Sequence, residues 1–254
     1  MKIITYNVNG IRAAIKKDFV GWLAQEQPDI LCLQEVKASP NQIDLAPFAD
    51  MGYNLYWHEA EKKGYSGVAI LSKIAPLAVT YGMGHPKYDA EGRVIKFDLP
   101  SFSILNVYMP SGTTGEVRQQ FKYEWLDDFK SYLQDLSKQQ KGLLIGGDFN
   151  IAHRPIDIHN PVSNKKSSGF LPEERAWMDC LFNDGFTDVF RRFHPEPHRY
   201  TWWSTRANSR AKNLGWRIDY WVVNQVLQEN IIDCDILQEV VHSDHCPVLI
   251  KINI

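Results

Sequence analysis

The sequence predicts an α/β protein in which two packed β-sheets are covered by helices. Short runs rich in Val, Ile, Leu and Tyr recur along the chain, bounded by Gly, Pro, Asn or Asp, as is typical of strands. Three longer stretches instead place their apolar residues at helical spacing. Many strands with a few long helices between them favour a layered architecture. No repeat or low-complexity linker divides the chain, so we expect residues 1–254 to form a single domain.

The predicted elements follow from these patterns. The predicted strands are Lys2–Thr5, Asp29–Leu33, Gly67–Leu71, Ser103–Tyr108, Gly142–Ile145, Arg217–Val223 and Pro247–Ile252. The predicted helices are Ile11–Gln27, Glu116–Lys138 and Pro172–Asp184. One face of the second helix carries Phe121, Trp125, Leu126, Phe129 and Leu133. The third helix opens with Pro-Glu-Glu, which is a favoured start for a helix.

Composition limits the classes of function. Hydrophobic residues make up 44% of the chain, charged residues 23%, and the formal net charge is −2. A strongly basic nucleic-acid binder is therefore excluded, and any nucleic-acid surface must be a local basic patch. No apolar run approaches the ~20 residues that span a bilayer, and no signal segment precedes the first strand pattern. Cys32, Cys180, Cys234 and Cys246 form no CxxC pair, so we expect free thiols in a soluble, cytoplasmic protein with no membrane contact.

Polar side chains cluster where the predicted strands begin or end. The segments are Asn7-Val8-Asn9, Gln34-Glu35, Asn106-Val107-Tyr108, Asp148-Phe149-Asn150, Asp219-Tyr220 and His242-Ser243-Asp244-His245. Each segment alone is equally well interpreted as a turn or a solvated strand end. The Asn7/Asn9 and Asp148/Asn150 pairs carry more weight, because residues i and i+2 of extended backbone project to the same side. Such pairs can converge on one ion or phosphate.

The sequence also allows a choice of metal. His242-x-x-His245 is a possible zinc pair, but no second ligand pair has suitable spacing. Asp244 and His245 beside several carboxylates fit an oxygen-ligated magnesium ion with a neighbouring imidazole better.

Seven motifs, taken in order, resemble those of one known family. They are Asn7-x-Asn9-Gly10, Leu33-Gln34-Glu35, Tyr65-Ser66-Gly67-Val68, Asn106-Val107-Tyr108-x-Pro110, Gly147-Asp148-Phe149-Asn150, Gly215-Trp216-Arg217-Ile218-Asp219-Tyr220 and Ser243-Asp244-His245. The ordered set resembles the exonuclease III/abasic endonuclease family of the endonuclease–exonuclease–phosphatase superfamily, from Met1 to the C-terminus. The resemblance implies a four-layer α/β sandwich with two mostly antiparallel sheets packed together and helices outside.

The resemblance also implies a function. It indicates a Mg²⁺-dependent DNA repair nuclease, with Mn²⁺ as a substitute, that hydrolyses the phosphodiester 5′ to an abasic site. It further implies 3′-to-5′ exonuclease and 3′-phosphodiesterase activity on double-stranded DNA with blocked 3′ ends, and a monomeric enzyme. The metal ligands that it implies are Glu35, Asn9, Asp244, Asp148 and Asn150.

Catalytic roles carry over position by position in the same way. Asp148 is similar to the residue that orients and deprotonates the attacking water, with Asn150 beside it. Asp219 and His245 are similar to the pair that holds an imidazole against the scissile phosphate. Asn7 matches a residue that supports this pair by hydrogen bonding, and Tyr108 matches a phosphate contact or leaving-group stabiliser.

The segment from Arg199 to Arg217 favours DNA over a small substrate. It holds five cations and no carboxylate, with four aromatic residues interleaved, namely Tyr200, Trp202, Trp203 and Trp216. Cations that track phosphates beside aromatic faces are what nucleic-acid binding needs. The alternative is that the tryptophans are core residues and the cations a solvated face, and we expect Trp203 to be core.

The predicted DNA contacts extend beyond this segment. The full set is Arg12, Tyr65, Asn164, Lys165, Trp202, Arg206, Arg210, Lys212, Trp216 and Ile218. By resemblance, Trp202, Trp216 and Ile218 line an apolar pocket for a flipped-out sugar that lacks its base. Two other functions compete, a phosphatase for lipid or inositol headgroups and an inactive binding module. The second of these predicts substitutions in the catalytic set, and none is present.

Overall fold

The computed structural model describes residues 1–139 and 141–253. Its strands are β1 (Lys2–Asn7), β2 (Ile30–Gln34), β3 (Asn54–His58), β4 (Val68–Ser72), β5 (Ala78–Tyr81), β6 (Val94–Asp98), β7 (Phe102–Tyr108), β8 (Gly142–Asp148), β9 (Phe186–Asp188), β10 (Trp202–Trp203), β11 (Gly215–Trp216), β12 (Asp219–Asn224), β13 (Ile231–Ile236) and β14 (Val248–Ile252). Its helices are α1 (Ile11–Ile15), α2 (Phe19–Glu26), α3 (Ala46–Asp50), α4 (Pro86–Asp89), α5 (Glu116–Ser137), α6 (Pro161–Asn164), α7 (Pro172–Asn183) and α8 (Val189–Phe193).

Two six-stranded sheets form the centre of the molecule. Their strand orders are β13-β14-β1-β2-β4-β3 and β5-β6-β7-β8-β12-β9. In each sheet the central neighbours are parallel, β1 with β2 and β7 with β8, and every other pairing is antiparallel. The prediction of mostly antiparallel sheets is confirmed. β10 and β11 form a separate two-stranded ribbon.

Alternating side chains of the strands build three apolar layers. Between the sheets lie Ile3, Ile30, Ile70, Phe97, Ile104 and Trp221. On the outer face of the first sheet, Leu31 and Leu33 pack with Phe19, Leu23 and Phe48. On the outer face of the second, Leu105 and Ile145 pack with Trp125, Phe129 and Met178. Helices therefore cover both sheets, and the predicted four-layer sandwich is confirmed.

The three predicted helices have different outcomes. α5 and α7 lie within one residue of the predicted ranges, and most of the predicted apolar face of α5 is buried. The prediction of a single helix over Ile11–Gln27 is wrong. The segment is divided between α1 and α2, because Asp18 adopts a left-handed conformation with φ of 67°. Asp tolerates that conformation, and the break lets each short helix bury its own apolar residues, Ile11 in α1 and Phe19 in α2.

No helix in the described part of the chain is both long and apolar enough to cross a membrane.

A buried ionic cluster fixes the start of β12. The fully buried carboxylate of Asp157 accepts hydrogen bonds from Arg217 Nε at 2.8 Å and Arg191 Nε at 2.9 Å. Arg217 also donates to Asp188 Oδ2 at 2.6 Å. Its backbone N–H donates to the carbonyl of Asp157 at 2.8 Å. The strand predicted from Arg217 therefore begins at Asp219, and Arg217 is an interior residue.

We predict that this cluster makes stability depend on acidic pH. Burial raises the pKa of Asp157, but Arg217 and Arg191 outweigh it and lower the pKa to about 2. Because this lies below the ~3.9 of an unfolded aspartate, the stabilisation is present above that value and is lost as the pH falls towards 2. Asp157→Asn should lower the free energy of unfolding by roughly 3–5 kcal/mol at pH 7, as breaking a buried ion pair does.

Urea denaturation from pH 7 to pH 3 measures this loss. The difference between Asp157→Asn and the unmodified protein should shrink as the pH falls. The exposed Asp50→Asn serves as the control and should change little at any pH. A difference that stays constant with pH would show that ionisation of Asp157 contributes nothing.

Candidate active site

The predicted polar residues meet where the central parallel strands of both sheets end. β1 and β2 end at Asn7 and Gln34, and β7 and β8 end at Tyr108 and Asp148. The side-chain nitrogen of Asn7 donates to Glu35 Oε1 and to Asp148 Oδ2, both at 2.8 Å. This amide joins a carboxylate that follows the first sheet to one at the end of the second.

An open cavity of about 740 Å³ lies beside this junction. Ten of the predicted site residues line it: Asn9, Glu35, Tyr108, Asp148, Asn150, Trp202, Trp216, Ile218, Asp244 and His245. Asn7 and Asp219 lie behind its wall, almost wholly buried. The structure therefore brings together all the predicted catalytic and metal-binding residues.

Two of these side chains are presented by tight turns. Asn9 and Asn150 have φ of 43° and 52°, so they do not continue the extended strands. Each backbone N–H donates to the side chain two residues earlier, Asn9 to Asn7 Oδ1 at 3.0 Å and Asn150 to Asp148 Oδ1 at 2.8 Å. The expectation of extended i, i+2 pairs is wrong in its geometry. Asx turns, in which a side-chain oxygen accepts from the backbone N–H two residues later, hold both pairs in place. The residues that form the turns are thus also the residues of the site.

Oxygen atoms dominate the set that could hold a metal ion. Glu35, Asp148 and His245 each offer a ligand atom, and these atoms lie within 4.8 Å of one another. The amide nitrogen of Asn9 donates to Asp244 Oδ1 at 3.0 Å, which ties a second carboxylate to the same region. Carboxylate and amide oxygens fit a hard divalent cation.

Charge is concentrated in the buried wall. Burial, with Asp219 and Glu35 close by, raises the pKa of Asp148. Burial alone would also raise the pKa of Glu35, but the ammonium of Lys37 and the amide of Asn7 outweigh it and lower that pKa. The two carboxylates therefore differ in proton affinity, which suits one for holding a cation and the other for accepting a proton.

His245 is held by a carboxylate on its inner side. Its Nδ1 lies 2.9 Å from Asp219 Oδ2, and its Nε2 lies 4.0 Å from Asp148 Oδ2. The backbone N–H groups of Ile218 and Asp219 both donate to Thr201 Oγ1, which fixes the Asp219 backbone. Burial would lower the pKa of His245, but Asp219 and Asp148 outweigh it and raise that pKa. The imidazolium is thus favoured.

The other wall of the cavity is apolar and aromatic. Trp202 and Trp216 face each other across the β10–β11 ribbon, edge to face, with ring centroids 6.0 Å apart. They pack on Ile218, Ile158 and Phe170. Both indoles are only partly buried, and Trp202 Nε1 donates to Asp244 Oδ2 at 3.1 Å. The wall is thus connected to the polar site.

The cations from Arg199 to Arg217 do not form one exposed strip. Arg199 pairs with Asp235, and Arg217 belongs to the buried Asp157 cluster. Arg210 donates to four backbone carbonyls between Gln238 and His245, at 2.6 to 3.5 Å. It therefore supports the loop that carries Asp244 and His245, and a DNA contact by Arg210 stays a prediction.

The other residues of this segment differ in exposure. Arg206 and Lys212 are exposed, so both are free to meet a phosphate. Tyr200 and Trp203 are buried in the core, as expected for Trp203.

The predicted DNA contacts on the other flanks lie outside the cavity. Arg12 borders a shallow depression near Lys37, and its Nη2 lies 3.4 Å from the carbonyl oxygen of that lysine. The phenol oxygen of Tyr65 accepts hydrogen bonds from two arginine side chains. The amide of Asn164 donates to the carbonyls of His159 and Asn160, which precede its short helix, and Lys165 is exposed. Their contact with DNA stays a prediction.

Sequence reasoning missed three cations close to the site. Lys37 pairs with Glu35, and the buried Arg93 lies under the ring of Tyr108, with its guanidinium carbon 4.7 Å from the centroid. Lys122 donates to the carbonyl of Asn150 at 2.8 Å and pairs with Glu174 in a fully buried contact. One signal was available, since Lys122 stands four residues before Leu126 on the buried face of α5.

Comparisons with known proteins agree with this geometry. Residues 4–245 match the model of the Endonuclease/Exonuclease/phosphatase family. The chain is 44% identical to an exodeoxyribonuclease of Bacillus subtilis, over all of both chains. It is 42% identical to the DNA repair nuclease APEX1 of Danio rerio, over 98% of this chain and 81% of the other. The solved structure of an AP endonuclease from Archaeoglobus fulgidus superposes with a TM-score of 0.91 at 31% identity, over all of both chains.

We predict that Asp219 is the main cause of the raised pKa of His245. In metal-free protein, Asp219→Asn should lower the pKa of this imidazole substantially, because the carboxylate 2.9 Å from Nδ1 is lost. Asp244→Asn is the matched control, and its effect should be smaller because the Asp244 carboxylate is bonded to Asn9, Trp202 and Ser243. Titration of the ¹⁵N chemical shifts of the imidazole measures the pKa in both variants. An equal change in the pKa of His245 in the two variants would contradict the prediction.

Proposed function

The chain belongs to the endonuclease/exonuclease/phosphatase family, and on this basis we propose that it is a metal-dependent DNA repair nuclease. Its substrate is double-stranded DNA, in which it hydrolyses the phosphodiester 5′ to an abasic site. We include 3′-to-5′ exonuclease and 3′-phosphodiesterase activity at 3′ ends, and a monomeric, cytoplasmic enzyme. One observation carries the proposal. Glu35, Asp148 and the Asp219–His245 pair converge beside a cavity with two partly exposed indoles.

Hydrolysis of a phosphodiester needs an activated water, neutralised phosphate oxygens and a stabilised leaving alkoxide. Asp148 accepts a proton from the attacking water, a role that its raised pKa favours. His245, held as imidazolium by Asp219, donates to a phosphate oxygen on which charge grows. Tyr108 keeps its proton, because burial and the nearby Glu35 raise its pKa, so that it can donate to the phosphate or the leaving oxygen.

Mg²⁺ is the metal that we assign to the site, with Mn²⁺ as a substitute. Glu35 is the principal ligand, and Asn9, Asp244, Asp148 and Asn150 offer further oxygens around the same cavity. When bound, the cation supplies Lewis acidity to the phosphate. Hard oxygen donors favour Mg²⁺ over zinc, and His242 lies apart from the ligands, among Tyr6, Phe19 and Trp22.

The aromatic wall gives a physical basis for recognising damage. A sugar without its base has already lost stacking and pairing, so that its extrusion from the duplex costs less than that of an intact nucleotide. A pocket formed by Trp202, Trp216 and Ile218 accepts the bare sugar and excludes an attached base. The exposed Arg206 and Lys212 hold the backbone without reading bases. A small headgroup substrate would not need these features.

The proposed activity is tested on three DNA duplexes. One carries a single tetrahydrofuran abasic analogue, one is undamaged, and one has a recessed 3′ end. With Mg²⁺ we expect a cut 5′ to the analogue, faster than cleavage of the undamaged duplex. Glu35→Gln should lower this rate by orders of magnitude and raise the Mg²⁺ concentration required, while DNA binding survives. Equal cleavage of damaged and undamaged duplexes would exclude the abasic specificity, and full activity of Glu35→Gln at limiting Mg²⁺ would exclude Glu35 as a ligand.

We predict that Trp216 contributes to selectivity. Trp216→Ala opens the pocket, so that the preference for the abasic duplex over the undamaged one should fall. The exposed Lys212→Ala is the matched control. It should weaken binding to all duplexes alike and reduce the salt slope by roughly 0.9, the value for one phosphate contact. If Trp216→Ala unfolds at a lower temperature but keeps its preference, Trp216 is a core residue and the pocket assignment is wrong.

A further inference from the structure

Lys37 places a cation on the oxygens to which a metal ion is assigned. Its ammonium lies 2.7 Å from Glu35 Oε2 and donates to Asn9 Oδ1. Both oxygens belong to proposed metal ligands. Nothing in the catalytic scheme uses Lys37, although it lines the same cavity as Glu35 and Asn9.

The backbone holds Lys37 in this position. Glu35 and Lys37 both adopt left-handed conformations, with φ of 50° and 49°. The carbonyl of Glu35 accepts from the N–H of Gly10 at 2.7 Å, and the N–H of Lys37 donates to the carbonyl of Ser66 at 2.9 Å. Left-handed conformations are unfavourable for these residue types, and persist where surrounding contacts enforce them at functional sites. The segment is thus fixed from both sides, with the lysine next to the carboxylate.

The charges of the site explain why a cation is needed there. Four carboxylates, those of Glu35, Asp148, Asp219 and Asp244, lie around one imidazole, that of His245. With the imidazole protonated, four carboxylates surround one cation, and Lys37 supplies a second cation that reduces the excess of negative charge. Like charges at this separation repel strongly where water is excluded. Without a metal ion, the ammonium of Lys37 is in direct contact with the Glu35 carboxylate.

We propose that Lys37 is the resident counter-ion of the metal site and that a divalent cation must displace it from Glu35 and Asn9. Lys37 therefore holds the metal-free site together and lowers its affinity for metal. This inference rests on the proposed function, because it takes Glu35 and Asn9 as metal ligands. The displaced ammonium has somewhere to go, since its side chain is 30% exposed and borders the open cavity.

Metal titration of the DNA-free protein at one fixed pH tests the proposal. Mg²⁺ binding is followed by calorimetry and Mn²⁺ binding by electron paramagnetic resonance. Lys37→Met removes the charge, and Lys37→Gln removes it while keeping an amide donor for the same oxygens. Both variants should bind Mg²⁺ and Mn²⁺ about tenfold more tightly, the effect of removing one competing ion pair in a partly buried site. Lys16→Met is the matched control, because Lys16 borders the neighbouring depression and has the same charge. It should leave both affinities unchanged.

Thermal unfolding gives the second readout. Without metal, Lys37→Met and Lys37→Gln should melt below the unmodified protein, and saturating Mg²⁺ should raise their melting temperatures by more than it raises that of the unmodified protein. A purely structural lysine would lower the melting temperature equally with and without Mg²⁺. That result, or unchanged or weaker metal affinity in both variants, would overturn the proposal. If Lys37→Met does not fold, the metal affinity of Lys37→Gln alone decides whether the proposal stands.

Glu35→Gln separates this inference from the proposed function. If Glu35→Gln leaves metal affinity unchanged, the assignment of the metal site is wrong and the inference is wrong with it. If Glu35→Gln weakens metal binding but both Lys37 variants bind as the unmodified protein does, the metal site stands and the role of Lys37 is rejected.

Discussion

The site depends on one amide that bridges two sheets. Asn7 ends β1 and donates from a single nitrogen to Glu35 and to Asp148, at 2.8 Å each. Its own oxygen accepts from the N–H of Asn9, which fixes the turn after the strand. Asn7 is wholly buried, so its amide is shielded from water and its hydrogen bonds are strengthened. The carboxylates of Glu35 and Asp148 can remain this close because both accept from the neutral amide of Asn7. In addition, Lys37 lies beside Glu35 and His245 lies beside Asp148.

The arrangement of strands makes this bridge possible. Each sheet has its parallel pair at the centre, and both pairs end at the same place, where Tyr108 and Asp148 line one cavity and Asn7 lies behind its wall. These central strands were predictable, because strands buried on both faces are continuous apolar runs. Several of the strands that were missed lie towards the sheet edges. β5 is mostly exposed and β13 alternates in burial, so their apolar runs are short or interrupted.

The identity of the site residues was predictable, but the contacts that support them were not. Glu35, Asp148, Asp219 and His245 follow or precede strong strand patterns, and their order along the chain matches a family. The contacts of Arg210 and Lys122 are with partners far away in sequence, and Lys37 joins its near neighbour Glu35 to the distant Asn9. Arg210, for example, stands in a run of cations, which predicts a phosphate contact. Its side chain also donates to backbone carbonyls between residues 238 and 245, which the local sequence cannot show.

Chemistry and recognition occupy different walls of the cavity, yet they are mechanically connected. Trp202 pairs with Trp216 in the ribbon and donates to Asp244, while Asp244 accepts from Asn9 on the opposite side. In the proposed function, a sugar seated against the indoles contacts Trp202, which shares its hydrogen-bond partner Asp244 with Asn9. Because a small displacement of a catalytic group is costly, this connection allows the pocket to influence the polar site without contacting the scissile bond. In the proposed function, a poor fit of the sugar would displace Trp202 and with it Asp244, whereas β8 and Asn7 hold Asp148 from the opposite side of the site.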